Sequence, residues 1–273
     1  MNPTANRDLT VLRTLFLIVA VVAGIAGVVM LIAPDETARY FSWPIGPPPL
    51  AARVGGLYVA SAVVFGLAGW RGTWADGRGL SVGVLALTIP TVVITLRHHD
   101  LFDFGRWQAV AWIALFIASP IAYGTILFRQ RGQASAPGSP LPTAARWILF
   151  GLGMLSAVGA VGLLLDPTGA NGLFPVPALS GRFLGCWAAF LTTLAIMAAK
   201  RNRREEAFVP TLALVLFPLG EIAGAARTFD DLAPPGRRAG HLFVNGLVSA
   251  IAAVVLWQLR VKPGPQTAPA RDG

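Results

Sequence analysis

RVGGLYVASAVV at residues 53–64 and RFLGCWAAFLTT at residues 182–193 read as one segment written twice. Arg53-x-x-Gly56-x-Tyr58 returns as Arg182-x-x-Gly185-x-Trp187, an offset of 129 residues. Working outward, Ile89-Pro90 pairs with Phe217-Pro218, and Arg97-x-x-Asp100 pairs with Arg227-x-x-Asp230. A duplication lets the helix count of one half be read from the other. It also marks the charges that recur inside apolar segments.

The composition sets the class. Of 273 residues, 55% are hydrophobic and 13% charged, too apolar for an ordinary soluble domain. Eight stretches approach the roughly 20 apolar residues that cross a bilayer: 10–33, 51–70, 80–96, 107–128, 147–165, 183–199, 208–226 and 240–259. None alternates with the period of a barrel strand. The expected fold is all-α and integral to the membrane, eight transmembrane helices as two tandem four-helix repeats. Four spans per module is an even number, so both copies insert in the same direction. The expected boundaries are a first module at 1–128, a linker at 129–146, a second module at 147–262 and a disordered tail at 263–273. The first span resembles a signal peptide only superficially. Its apolar run, Leu15 to Ala33, is too long for an h-region and matches the fifth span in the repeat.

Net charge is +9, but the basic residues sit in short loops between apolar spans, which argues against nucleic acid. The side of the N-terminus carries 14 of the 22 Lys and Arg residues and the other side 8. The positive-inside rule then places both termini of this multi-pass chain in the cytoplasm, and the heavy use of Ala, Gly, Val, Arg and Pro suits a GC-rich bacterial genome, so the expected location is a bacterial inner membrane. The linker RQRGQASAPGSPLPTAAR is expected to be flexible, and KRNRREEA at 200–207 to be a basic loop on anionic headgroups. Tyr40, Phe41 and Trp43 suit an interfacial aromatic belt. Ala20, Ala23, Gly24 and Gly27 in the first span, and Gly151, Gly153, Ser156, Gly159 and Gly162 in the fifth, are expected to let helices approach closely. The single cysteine, Cys186, has no partner and reads as a packing residue.

Charges inside a membrane are costly and mark sites. Arg53 and Arg182 sit about one turn inside the outer end of their helices, where they either reach to the headgroups or grip an anion between the modules. Tyr58 and Trp187 would pack against such a ligand. Glu221 lies three residues after Pro218 and has no counterpart in the first module; Arg182, Arg53 and His241 are its candidate partners. The densest polar cluster is the outer loop Arg97, His98, His99, Asp100 and Asp103, with Arg227, Asp230 and Asp231 in the second copy. Adjacent histidines reach one metal poorly, so this cluster reads as salt-bridged loops, Arg97 with Asp100 and Arg227 with Asp230 or Asp231, and no metal is assigned. Motifs for phosphate loops, dinucleotides, zinc hydrolases, nucleophilic serines and haem are missing, so no cofactor is expected.

FSWPIGPPPLAARVGGLY at 41–58 and RHHDLFDFGRWQAVAW at 97–112 resemble a group of bacterial, largely actinobacterial, polytopic membrane proteins with no assigned activity. In that group an aromatic-Trp-x-Ile-x-Pro-Pro turn leads into a Gly-x-Tyr helix. The resemblance implies the membrane class. Two positions depart from it: Asp103 stands where histidine is expected, and Arg53 where small or apolar residues are commoner. The leading expectation is a non-enzymatic protein that binds or transports a small amphiphile or anion at an outward-facing cleft between modules, with Arg53, Arg182, Tyr58, Trp187, Glu221 and His241 as its residues. The alternatives are a membrane enzyme acting on a lipid headgroup through His98, His99, Asp100, Glu221 and His241, and a structural or accessory subunit.

Overall fold

The computed structural model describes residues 3–133, 138–168, 176–228 and 235–260. The described chain is helical: α1 (Pro3–Ile32), the single turn α2 (Thr37–Tyr40), α3 (Pro48–Arg71), α4 (Trp74–Arg97), α5 (Trp107–Arg129), α6 (Thr143–Leu165), α7 (Ala178–Arg201), α8 (Arg204–Arg227) and α9 (Pro235–Arg260). All but α2 are long and apolar enough to cross a bilayer, and the chain is a multi-pass membrane protein.

Local chemistry sets the helix ends. Pro48 opens α3 at a position that needs no N–H donor. Gly72 closes the helix in the left-handed conformation, φ 59°. Thr73 then caps α4 by accepting the Asp76 N–H at 3.2 Å, and the Asp76 carboxylate accepts from the Thr73 hydroxyl at 2.6 Å and from Arg71 Nε at 2.8 Å. Because of this cap α4 begins six residues before the expected span edge at 80. The expected basic loop at 200–207 shrinks to Asn202 and Arg203. Asn202 adopts φ 53°, and Glu205 and Glu206 fall in the first turn of α8, where carboxylates suit the positive end of the helix dipole. The linker's far end is pinned rather than loose. Arg204 N–H donates to the Ser139 carbonyl at 3.0 Å, and Leu141 N–H donates to Asn202 Oδ1 at 3.3 Å.

α3, α4, α7 and α8 form the centre. At least half of each of these spans is buried, against about a fifth of α1, α5, α6 and α9. α3 packs against α1 and α8, and α4 against α7 and α5; α6 lies on α7, and α9 on α8. The two halves therefore interlock. The α3–α8 crossing is closed backbone to backbone. A Cβ on Gly56 would overlap the Gly220 carbonyl, and one on Gly224 would sit 2.6 Å from Arg53 Cα. Gly27 and Gly55 do the same at the α1–α3 crossing, where a Cβ on Gly27 would lie 2.8 Å from the Gly55 carbonyl oxygen. In the fifth span only part of the expected glycine set is used this way: Gly153 presses on Ile196, whereas Gly151 and Gly159 face open space.

The loop after α1 also departs from expectation. Phe41 and Trp43 do not form an interfacial belt; they are buried, 7% and 3% exposed. Trp43 packs edge-on against Trp112 and Phe183, with ring centroids 4.8 and 5.6 Å away, and its indole N–H donates to Ser180 Oγ at 3.3 Å. Large rings gain more from a protein pocket than from the headgroup layer once the indole N–H finds a partner.

Candidate functional site

The close α3–α8 crossing brings charge together. Arg53 lies one turn before Gly56, and Glu221 follows Gly220, so the approach of the backbones places the two side chains face to face. Arg53 Nε donates to Glu221 Oε2 at 2.6 Å, with the side chains 7% and 12% exposed. His241 Nε2, on α9, lies 3.5 Å from the same oxygen. Of the candidate partners for Glu221, Arg53 and His241 are in place. Arg182 is not; its Nη1 donates instead to His98 Nε2 at 2.9 Å, joining α7 to the end of α4. That contact requires His98 Nε2 to be unprotonated. Burial, then Arg182 and Arg97, lower the His98 pKa below its ordinary value, and Asp100 opposes them.

The polar residues thus fall into two clusters: Arg53, Glu221 and His241 around α3, α8 and α9, and Arg182 with His98 between α4 and α7. The expected pair Arg97–Asp100 does not form among the described residues; both side chains are exposed, where pairing gains little over solvation. Asp100 and Asp103 instead border a small outer pocket of about 280 Å³ with Ser42, Trp43 and Arg106. His99 Nδ1 lies 3.2 Å from the Leu96 carbonyl. Asp230 and Asp231 lie outside the described residues. Among the described residues no three His, Cys, Asp or Glu side chains gather as metal ligands.

A larger cavity lies elsewhere. A groove of about 570 Å³ runs between α1 and α5. One wall is the α1 face Val19, Val22, Ala23, Ala26 and Val29; the other is the α5 face Gln108, Ala111, Trp112, Leu115 and Ser119. Both sets recur at three- and four-residue steps, one stripe of each helix. Tyr58, Ser61 and Phe65 of α3, Leu87 and Thr88 of α4, and Trp187 of α7 form the back. Tyr40 and Ser42 stand at the mouth, on the side opposite the termini, and Tyr123 at the other end. From Gln108 to Tyr123 the groove follows α5 for roughly 22 Å at 1.5 Å per residue.

Among the described residues, contacts between α1 and the end of α5 close the termini side. Phe16 stacks on Tyr123 with centroids 5.7 Å apart. Below them Gln130 Nε2 donates to Asp8 Oδ2 at 2.6 Å, and Arg129 lies 3.5 Å from Asp8 Oδ1. Along its length the groove opens sideways between lips of exposed apolar residues, Val22 and Ile25 on α1 and Leu115 on α5. Among the described residues no charged side chain lines it. At the mouth the Tyr40 hydroxyl donates to the Ala33 carbonyl at 2.6 Å. Burial, with Asp35 and Glu36 nearby, pushes its pKa up to about 12.

The structure brings Tyr58 and Trp187 together, edge to face at 5.7 Å, and both border this groove. Arg53, Arg182, Glu221 and His241 do not line it. Sequence reasoning missed its α5 wall. The stripe Gln108-Ala111-Trp112-Leu115-Ser119-Tyr123, which carries polar and aromatic residues along one face of an apolar helix, is the signal that marks it. No family model, curated protein or solved structure matches the chain.

Proposed function

We propose that this protein binds a membrane amphiphile, with the ligand's chain held in the groove between α1 and α5. The observation that carries this reading is the groove itself: long, uncharged, closed at one end and open sideways where lipid lies. Its volume falls within the range of small-molecule sites, roughly 300–1,000 Å³. The arginines favour an amphiphile over a free anion. Arg53 is engaged by Glu221 and Arg182 by His98, so both guanidinium groups are already partnered. Among the described residues the groove has no outlet at the termini side, which favours binding over conduction.

The frame around the groove we read as two tandem four-helix modules, 1–128 and 147–262, inserted in parallel. The pairings support this: α1 with α3 and α6 with α7, α4 with α5 and α8 with α9, α3 with α8 and α7 with α4. By the distribution of Lys and Arg, both termini lie in the cytoplasm of a bacterial cell and the groove mouth faces outward.

The test is native mass spectrometry on protein released gently from its own membrane, wild type beside Ala26→Phe/Ala111→Trp, which fills the groove from both walls. A defined lipid adduct on the wild type that disappears from the variant is expected. Equal adducts on both forms, or none on either, overturn the reading.

A further inference from the structure

The groove's hydrogen-bonding groups account for themselves almost completely. Ser61, Thr88 and Ser119 hydroxyls donate to carbonyls one turn back on their own helices, at 2.7, 2.8 and 2.7 Å. Ser42 donates to the Gln108 carbonyl at 3.0 Å, and Trp112 Nε1 to Thr95 Oγ1 at 3.2 Å. What remains are donors deep in the wall. Trp187 Nε1 and the Tyr123 hydroxyl are buried without a partner. The Tyr58 hydroxyl likewise forms no hydrogen bond with a described residue. Tyr58 and Trp187 are 9% and 5% exposed, their rings touch, and they lie at one level, ten residues into α3 and nine into α7. That level is roughly 14 Å below the outer helix ends at 1.5 Å per residue.

Native structures leave few buried donors unpaired, and each one calls for an explanation. A hydrocarbon chain in the groove would satisfy none of these; an oxygen acceptor beside Tyr58 and Trp187 would serve the donors at that level, leaving Tyr123 aside. A charged group is disfavoured, because no counter-charge lines the groove and an isolated ion at that depth is costly. We propose that the amphiphile is a neutral lipid whose buried part carries a carbonyl acceptor, held at the level of Tyr58 and Trp187. This rests on the groove reading above and names the chemistry of its ligand.

Two radiolabelled probes separate the acceptor from the chain: a long-chain methyl ketone and the alkane of equal chain length. Each is offered at the same mole fraction in micelles to immobilised full-length protein. One net hydrogen bond corresponds to roughly fivefold in affinity. The wild type is expected to prefer the ketone at least about fivefold. Tyr58→Phe keeps the ring and removes the hydroxyl, and Trp187→Phe removes the indole donor; each is expected to cut that preference to about twofold or less. Equal binding of both probes by the wild type, or a preference that survives both substitutions, overturns the carbonyl inference and leaves the groove standing. Ala111→Trp is expected to weaken both probes alike. Undiminished binding of both by Ala111→Trp, or no binding of either probe by the wild type, overturns the groove itself.

Discussion

Glu221→Gln isolates the buried ion pair. The amide keeps the carboxylate's shape and one acceptor but removes the negative charge that faces Arg53, whose side chain is only 7% exposed. Removing one partner of a buried pair costs about 3–5 kcal/mol, because the remaining ion stays desolvated. The retained amide carbonyl still accepts a hydrogen bond, which puts the cost near the lower end, about 3 kcal/mol. Replacing both residues, Arg53→Met with Glu221→Leu, removes both desolvation penalties and is expected to stay within about 1 kcal/mol of wild type. At about 2–4 °C per kcal/mol for a chain of this size, Glu221→Gln should melt roughly 6–12 °C lower, and the double variant within roughly 4 °C of wild type. The assay is fluorescence-detected size exclusion after graded heating in one detergent. All forms are heated at one rate, because membrane-protein unfolding is read as an apparent midpoint. A double variant that falls by the sum of its single variants would refute the pairing, as would a Glu221→Gln protein that melts with wild type.

Gly220→Ala is expected to abolish folded yield, because its Cβ overlaps the Gly56 carbonyl; Gly151→Ala, where a Cβ meets nothing within 4 Å, should be harmless when both are compared by gel filtration of the extracted protein. The His98 contact should respond to acid. Its pKa is lowered in the folded protein, so the folded state binds fewer protons than the unfolded one between that lowered value and the ordinary 6.5. The contact is therefore fully present above about 6.5 and is lost as pH falls through the lowered value. Hydrogen exchange of residues 98–106 should quicken at pH 5 relative to 7.5 after correction for intrinsic rates, and His98→Gln should flatten that difference. Orientation is tested in a Cys186→Ala background, since Cys186 is the sole cysteine. Asp103→Cys should react with an impermeant maleimide on intact cells and Ser139→Cys only after permeabilisation; the reverse result inverts the topology.

Helices were legible in the sequence and their partners were not. All eight expected spans coincide with long apolar helices because the hydropathy of 20 residues is a local property. The edges slipped where polar residues belong to helix starts: Asp76 and Arg78 read as loop but follow the Thr73 cap. Arg53, Glu221 and His241 were singled out as intramembrane charges, and the close Gly56–Gly220 approach explains why two of them meet. That approach was itself legible, since Gly220 and Gly224 are four residues apart on α8, a small-xxx-small pattern that the reading of the first and fifth spans passed over. The groove was not legible. Its walls come from helices more than 70 residues apart in the chain, and Val19 or Leu115 looks the same on paper facing lipid or a ligand.

Residue size explains why the groove sits where it does. In one half, Phe16, Trp112, Phe116 and Tyr123 are all buried between α1, α5 and the centre. Rings of that bulk hold α1 and α5 apart along the groove, and the two helices meet at the Phe16–Tyr123 stack and the Asp8 clasp. In the other half the corresponding core is built from Ala145, Ala195, Ala198, Ala199 and Ala252 with a few leucines, and α6 and α9 come into contact. Small side chains let backbones close, and large rigid ones hold them open. Under the proposed duplication, the two modules share a frame and differ in this filling. The second module then serves as the packed half that braces α3 and α4 from behind, contributing Trp187 to the groove's back wall. The first keeps its outer helices parted, and the groove proposed for the ligand is set by four aromatic residues rather than by the charges that first draw attention in the sequence.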